Sequence, residues 1–224
     1  MYDKFFDVSR KNMVNNQIIT NKVVNPLIID AFLSIQKEKF IPKIKKSIVY
    51  SDSEIAFNKE RSMIKSFLLA KMIEFSKVKQ NDSILVIGCL SGYSVAIISQ
   101  FSGYVFGLEN DLTMVKEANT ILSNMACHNC SINYGKLSEG LKKNMPFDKI
   151  FVEGSVEFIP NNIIQQLKEG GEIFAIFKEQ KSIVGKYKVG LKYEGLVSYR
   201  HLFDANAKLL KDFNLKDDSY DFKT

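Results

Sequence analysis

No apolar run in this chain reaches the roughly eighteen residues that a helix needs to cross a bilayer. The opening residues, Met1-Tyr-Asp-Lys-Phe-Phe-Asp7, lack the apolar stretch behind a basic start that marks a secretory leader. A cytoplasmic address with no membrane partner is therefore the expectation. Cysteine is scarce and odd in number, three in 224 residues, which excludes a disulfide framework. Cys127-His128-Asn129-Cys130 has the spacing of redox and zinc motifs. A zinc site needs two further ligands, and the remaining candidates, Cys89 and His201, lie far away in sequence, so the segment reads as a helix-to-strand turn and no metal is expected. Internal repeats, low-complexity tracts and Pro/Gly/Ser-rich linkers are missing as well, which leaves one main domain as the simplest division.

What is present is an ordinary globular composition, 46% apolar and 25% charged, long enough to bury a full core. The net charge of +6 invites a nucleic-acid reading. Its lysines, however, are scattered apart from short runs such as Lys43-Ile-Lys-Lys46, and the aromatics do not interleave with them as a base-stacking surface requires. Nucleic acid is not the expected partner.

Apolar periodicity sets out the order of elements. Residues 9–20 and 26–37 read as helices, the second opened by Asn25-Pro26, a cap followed by proline at the first helical position. Helical spacing resumes over Met63–Phe75. Ser83–Ile87 and Tyr104–Leu108 are short, wholly apolar runs, as expected of strands covered on both faces. Helices are predicted at 94–101, 112–124 and 161–168, and further strands at 131–134, 149–152 and 172–177. Strands separated by helices imply right-handed crossovers and a mostly parallel sheet with helices on both faces. Two more strands, 182–189 and 191–199, joined at Gly190, predict an antiparallel C-terminal hairpin. The α/β domain then spans 63–207, behind a helical extension over 1–62 and ahead of a polar tail, 208–224, expected to fray.

In open sheets of this kind ligands bind beyond the carboxyl ends of the strands. The turn after the first long strand, Gly88-Cys89-Leu90-Ser91-Gly92-Tyr93, has two glycines that let the backbone approach a ligand. Glu109 directly follows the next strand, 17 residues past Gly92, where a carboxylate can accept both hydroxyls of a ribose. It reads equally as part of an Glu109-Asn110-Asp111 helix cap.

The series Met13-Val14, Gln17-Ile18, Lys39-Phe40-Ile41-Pro42, Tyr50 with Asp52, Gly92-Tyr93-Ser94, Glu109, Pro146-Phe147-Asp148, Ile159-Pro160 and Glu169-Gly170-Gly171 resembles, in order and spacing, the protein-L-isoaspartate O-methyltransferase family over about residues 10–178. The resemblance implies a Rossmann-like methyltransferase sheet and S-adenosylmethionine as cofactor, held by Gly88, Cys89, Ser91, Gly92, Tyr93, Glu109 and Asn110. It also implies protein or peptide substrates whose isoaspartyl carboxylates are methylated in protein repair. Four positions depart from the pattern. Val86 stands where the family has an acid, Leu90 where it has a glycine, and Lys136 where it has an aspartate facing the adenine. The family's serine-glutamine-proline segment falls on Ile64, Lys65 and Ser66, so the serine is gone, and Ser62 or Ser66 is the candidate substitute. Two readings follow: an active carboxyl methyltransferase, or a catalytically silent protein of the same fold that binds or scaffolds. A third, a nucleic-acid methyltransferase, lacks its proline-aromatic pair, since the fourth strand ends Val152-Glu153-Gly154-Ser155.

Overall fold

The computed structural model describes residues 2–179 and 182–214. Its chain opens with helix α1 (Tyr2–Met13), which continues as one π turn (Val14–Ile18) and one 3-10 turn (Ile19–Asn21). Helix α2 (Pro26–Ser34) begins where expected, with the Asn25 side chain accepting from the Leu27 amide at 3.0 Å and proline at the first position. It stops at Ser34, short of residue 37, because Ile35 turns to extended backbone.

A short hairpin of β1 (Ile55–Ala56) and β2 (Ser62–Met63) comes next, with no counterpart in the sequence reading. Helix α3 (Ser66–Ser76) leads into the alternating part: β3 (Ser83–Ile87), α4 (Tyr93–Ile98), β4 (Tyr104–Glu109), α5 (Leu112–Asn124), β5 (Cys130–Tyr134), β6 (Phe147–Val156), α6 (Asn161–Ile164) and β7 (Leu167–Phe177). The sheet ends with β8 (Gly185–Tyr193) and β9 (Leu196–Ala205). The strand order is β5-β4-β3-β6-β7-β8-β9; the first five run parallel, β8 pairs antiparallel with β7, and β9 pairs antiparallel with β8. The expected mostly parallel sheet with an antiparallel hairpin is what forms. Its strand order reverses direction between β3 and β6, so the loops after β3, β4 and β6 gather at one end of the sheet.

Because β3 is buried on both sides, its side chains divide between two cores. Ile84 and Val86 join Phe151, Phe174 and the N-terminal helices, whereas Leu85 and Ile87 join Ile150, Val152, Ile163, Leu210 and Phe213. The N-terminal segment is pinned to the first core by the Ser91 hydroxyl, which donates to the Phe40 carbonyl, and by Tyr93, whose ring packs edge-on against Phe32 and Phe40.

Three details differ from the sequence reading. The hairpin turns at Glu194-Gly195, both with positive φ, and not at Gly190. Gly190 lies inside β8 between Ile173 and Tyr199, where a Cβ would come within 2.5 Å of Val197 Cγ1 and 2.6 Å of Tyr199 Cε1. The tail from Lys208 is part of the fold as far as Asn214: the Ser155 amide donates to the Lys208 carbonyl at 2.8 Å, the Leu210 amide to the Ser155 carbonyl at 2.9 Å, and Leu210 and Phe213 are buried. Residues 215–224 lie outside the described residues. Finally, Cys127 and Cys130, 6.2 Å apart at Cα, are joined as a disulfide across the α5–β5 turn, a separation within the range such bonds span.

Replacing a glycine by alanine ordinarily stabilises through the unfolded chain, where the backbone suits it. At Gly190 the overlap reverses that sign. Gly190→Ala is expected to destabilise by about 1–3 kcal/mol, seen as a lowered melting temperature.

Candidate functional site

At the gathered end of the sheet β4 terminates in Glu109, whose side chain is fully buried. A buried carboxylate survives only if its lone pairs are met by donors. Oε2 accepts the Leu90 amide at 2.8 Å, and Oε1 accepts the Asn110 amide at 2.9 Å. The guanidinium of Arg61, carried in by the β1–β2 hairpin, completes the set: Nη1 donates to Oε1 and Nη2 to Oε2, each at 3.0 Å. This is the bidentate fork that a planar guanidinium makes with a carboxylate. Nη2 also donates to the Gly88 carbonyl at 2.9 Å, and Nη1 to Asn110 Oδ1 at 3.3 Å.

The turn after β3 is shaped by positive φ at Gly88 (78°), Leu90 (51°) and Gly92 (85°). At Gly88 a Cβ would lie 3.2 Å from Arg61 Nη2 and 3.3 Å from the Glu153 carbonyl, so the missing side chain is what admits the guanidinium. Leu90 is the exception, since a branched residue in the left-handed region costs about 1–2 kcal/mol. That conformation aims its amide at Glu109, while its side chain, 2% exposed, is part of the larger apolar core and does not line the cleft described next. Of the two arrangements open to this leucine, pointing away or filling the pocket, the structure adopts the first. Cys89 is likewise buried, its thiol pushed up by desolvation and by the nearby Glu109 charge. Ser91 and Tyr93 spend their side chains on the contacts with Phe40.

Beside Glu109 opens a cleft of about 440 Å³, lined by Arg61, Glu109, Asn110, Leu112, Leu137 and Leu210 among others. That volume falls in the range of small-molecule sites, roughly 300–1,000 Å³. One wall is the β1–β2 loop and the other the tail, tied together by Lys208 Nζ donating to the Lys59 carbonyl at 3.0 Å and by a Lys211–Glu60 ion pair. Lys136 only precedes the lining residue Leu137.

The serine candidates separate. Ser66, 1% exposed at the start of α3, accepts a hydrogen bond from Lys37 Nζ at 2.8 Å. Lys37 is itself fully buried, and desolvation lowers its pKa to about 8. Ser62 is half-buried on β2, next in the chain to Arg61. Ile64, at the family's serine position, is buried in the core. None of the three lines the cleft.

Two residues with no role in the sequence reading stand in this region. Arg61 is one of three arginines in a lysine-rich chain, the only sequence signal it gave. Glu153 follows the apolar run of β6 just as Glu109 follows that of β4, and that position after a buried strand is the sequence signal it carries. Burial raises its carboxyl to about pH 7, with Ser94 and Arg61 opposing and Glu109 adding to the rise.

The family model for protein-L-isoaspartate(D-aspartate) O-methyltransferase matches residues 8–192. A protein-L-isoaspartate O-methyltransferase of Syntrophus aciditrophicus is 30% identical over 173 residues, 77% of this chain and 79% of its own. One of Helicobacter pylori strain G27 is 28% identical over 180 residues, 78% of this chain and 86% of its own. Among solved structures, a protein-L-isoaspartate O-methyltransferase superposes with a TM-score of 0.78 at 22% identity, over 90% of this chain and 65% of that longer one. A Plasmodium falciparum protein of the same description, in complex with S-adenosyl-L-homocysteine, gives 0.76 at 18% identity, over 91% and 98%. With the family match covering most of its length and the sheet order, glycine turn and buried Glu109 described above, the chain belongs to the protein-L-isoaspartate(D-aspartate) O-methyltransferase family.

Proposed function

We propose that this chain methylates the carboxylate of isoaspartyl residues in proteins or peptides, using S-adenosylmethionine held in the cleft beside Glu109. The observation that carries this reading is the Glu109 carboxylate itself: buried, fixed by two backbone amides from different turns, and set behind Arg61 at the wall of a cleft of suitable size in a chain of this family. The cofactor residues named from the sequence divide accordingly. Glu109 and Asn110 offer side chains to the cleft. Gly88 offers its carbonyl, Leu90 keeps Glu109 in place, and Cys89, Ser91, Gly92 and Tyr93 shape the turn from behind.

When bound, the cofactor supplies an electrophilic methyl group on a sulfonium. A substrate carboxylate is already ionised at neutral pH, so the chain needs no strong base to activate it. What it must contribute is alignment and the exclusion of water, which in the best intramolecular cases are worth roughly 7–11 kcal/mol. The loss of the family serine at Ile64 is tolerable on that account. Ser62, adjacent to Arg61 and still reached by solvent, is better placed than Ser66 to meet a substrate, because Ser66 is engaged by Lys37.

The silent reading draws on the departures at Val86, Leu90, Ile64 and Lys136; of these, the Leu90 side chain is buried in the core and does not line the cleft. What does compete for Glu109 is Arg61, which holds both carboxylate oxygens. Ribose hydroxyls reach Glu109 only when this guanidinium moves aside.

Removing Arg61 leaves a buried carboxylate short of two donors. Arg61→Ala is therefore expected to lower stability by about 3 kcal/mol, measured by denaturant unfolding. It is also expected to bind S-adenosylhomocysteine about tenfold tighter than the wild type by calorimetry, since no ion pair has to be broken first. Weaker binding would instead make Arg61 a residue that holds the ligand. For Leu90→Gly the expected result is unchanged affinity with a stability loss of about 1–3 kcal/mol, the buried leucine outweighing the relieved backbone. A clear gain in affinity would mean the leucine does obstruct the site. Methyl transfer to an isoaspartyl peptide, absent with the ordinary aspartyl isomer, is the direct check on the activity.

A further inference from the structure

Glu153 sits at the carboxyl end of β6, one residue beyond the last β3–β6 pair, Ile87 with Val152, and so opposite Gly88. The β6–β7 register shifts between Phe151 and Ser155, so the strand is irregular where Glu153 stands. Val86 of the neighbouring β3, paired with Phe151, offers no polar group to it. The Glu153 side chain is enclosed, with the residue 8% exposed, and its Oε1 has no hydrogen-bond partner among the described residues. The hydroxyl of Ser94, buried at the start of α4, is in the same condition. A carboxylate left in this state costs several kcal/mol when ionised.

A cation is already present at this spot. Arg61 Nη2 rests on the Gly88 carbonyl, within 3.2 Å of the point where a Gly88 Cβ would be, and the Glu153 carbonyl lies 3.3 Å from the same point. The Arg61 charge also acts on the Glu153 carboxyl, as does that of Glu109. The Glu109 carboxylate and the Gly88 and Glu153 carbonyls thus surround a place that the Arg61 guanidinium fills from within the chain; neither Gly88 nor Glu153 lines the cleft, so both are reached only when that guanidinium moves aside. If the nucleoside of the cofactor takes Glu109, the amino-acid end, with its ammonium, is directed toward Gly88 and Glu153.

We propose that Glu153 is a cofactor-positioning carboxylate that receives the α-ammonium of the amino-acid end, together with the Gly88 carbonyl and in place of the Arg61 guanidinium. This rests on the reading of the cleft as the S-adenosylmethionine site and adds a subsite to it. The same carboxylate distinguishes ligands that carry the amino-acid chain from those that end at the nucleoside.

The test compares S-adenosylhomocysteine with 5′-methylthioadenosine, which keeps the nucleoside and thioether but has no ammonium, by calorimetry on the full chain. Glu153→Gln is close in shape and uncharged, and Glu153→Asp supplies a second variant; melting temperatures check that both fold. Glu153→Gln is expected to bind S-adenosylhomocysteine at least tenfold more weakly than wild type, with 5′-methylthioadenosine changed less than twofold. Partial recovery by Glu153→Asp supports the role of charge. Parallel weakening of both ligands would mean that Glu153 merely shapes the turn, and unchanged affinity for S-adenosylhomocysteine would mean it takes no part; either overturns the proposal. Wild-type protein that binds neither ligand overturns the cofactor reading itself and the proposal with it.

Discussion

The buried charge of Glu109 is the constraint around which this end of the molecule is organised. An ionised carboxylate with no exposed surface is tenable only with several donors, and its four come from three separate pieces of chain, two of them from the one Arg61 guanidinium. The Leu90 amide reaches it only because the turn after β3 takes a left-handed residue there. The Asn110 amide reaches it because the strand ends at Glu109 and turns toward α5. Arg61 reaches it because a hairpin with two-residue strands carries the guanidinium over Gly88, where the absence of a Cβ leaves room. Position 90 is therefore constrained through its backbone and not through its side chain, which is why a leucine can stand where the family has glycine.

The central fold was legible because its signals are repetitive. Ser83–Ile87 is the observed β3, residues 112–124 are the observed α5, and short apolar runs separated by helices are the pattern of a parallel sheet. What escaped had no period to read. β1 and β2 are two residues each, too short for alternation. Gly190 looked like a turn because glycine usually marks one, yet it serves a crowded sheet interior, and the true turn uses Glu194 in the left-handed region. The tail looked polar and loose because its anchoring residues, Leu210 and Phe213, are isolated among lysines and aspartates. Only the carboxyl end of β6, with its Ser155 backbone groups, and the second core give them somewhere to go.

For the site the same logic explains both the success and the omissions. Glu109 was found because an acid after a buried strand is a local pattern. Arg61 is 48 residues away from its partner, and no local pattern encodes such a pairing. Its residue type does carry meaning in retrospect. Of the three arginines, Arg10 and Arg61 both serve buried carboxylates, Arg10 bonding Glu38 and Asp7 as well as the Tyr50 hydroxyl. The third, Arg200, is exposed on β9; the two that are not are the ones whose planar fork of donors meets a buried acid.

This distribution of charge also says where the resistance to opening lies. The two walls of the cleft, the β1–β2 loop and the tail, are joined by Lys208 to a backbone carbonyl and by Lys211 to Glu60, both exposed. Exposed ion pairs contribute about 0–1 kcal/mol each, so they do little to hold the walls together. The Arg61–Glu109 pair, with side chains 12% and 0% exposed, is a different matter. A cationic ligand with vicinal hydroxyls can replace it group for group: hydroxyl donors at Glu109, a positive charge at the Gly88 carbonyl. The exchange then costs little net free energy even though the individual contacts are strong, because no carboxylate is left bare at its end. Opening without such a ligand exposes the full penalty of the buried Glu109. The ion pair thus favours the closed free protein and at the same time selects the chemistry able to displace it.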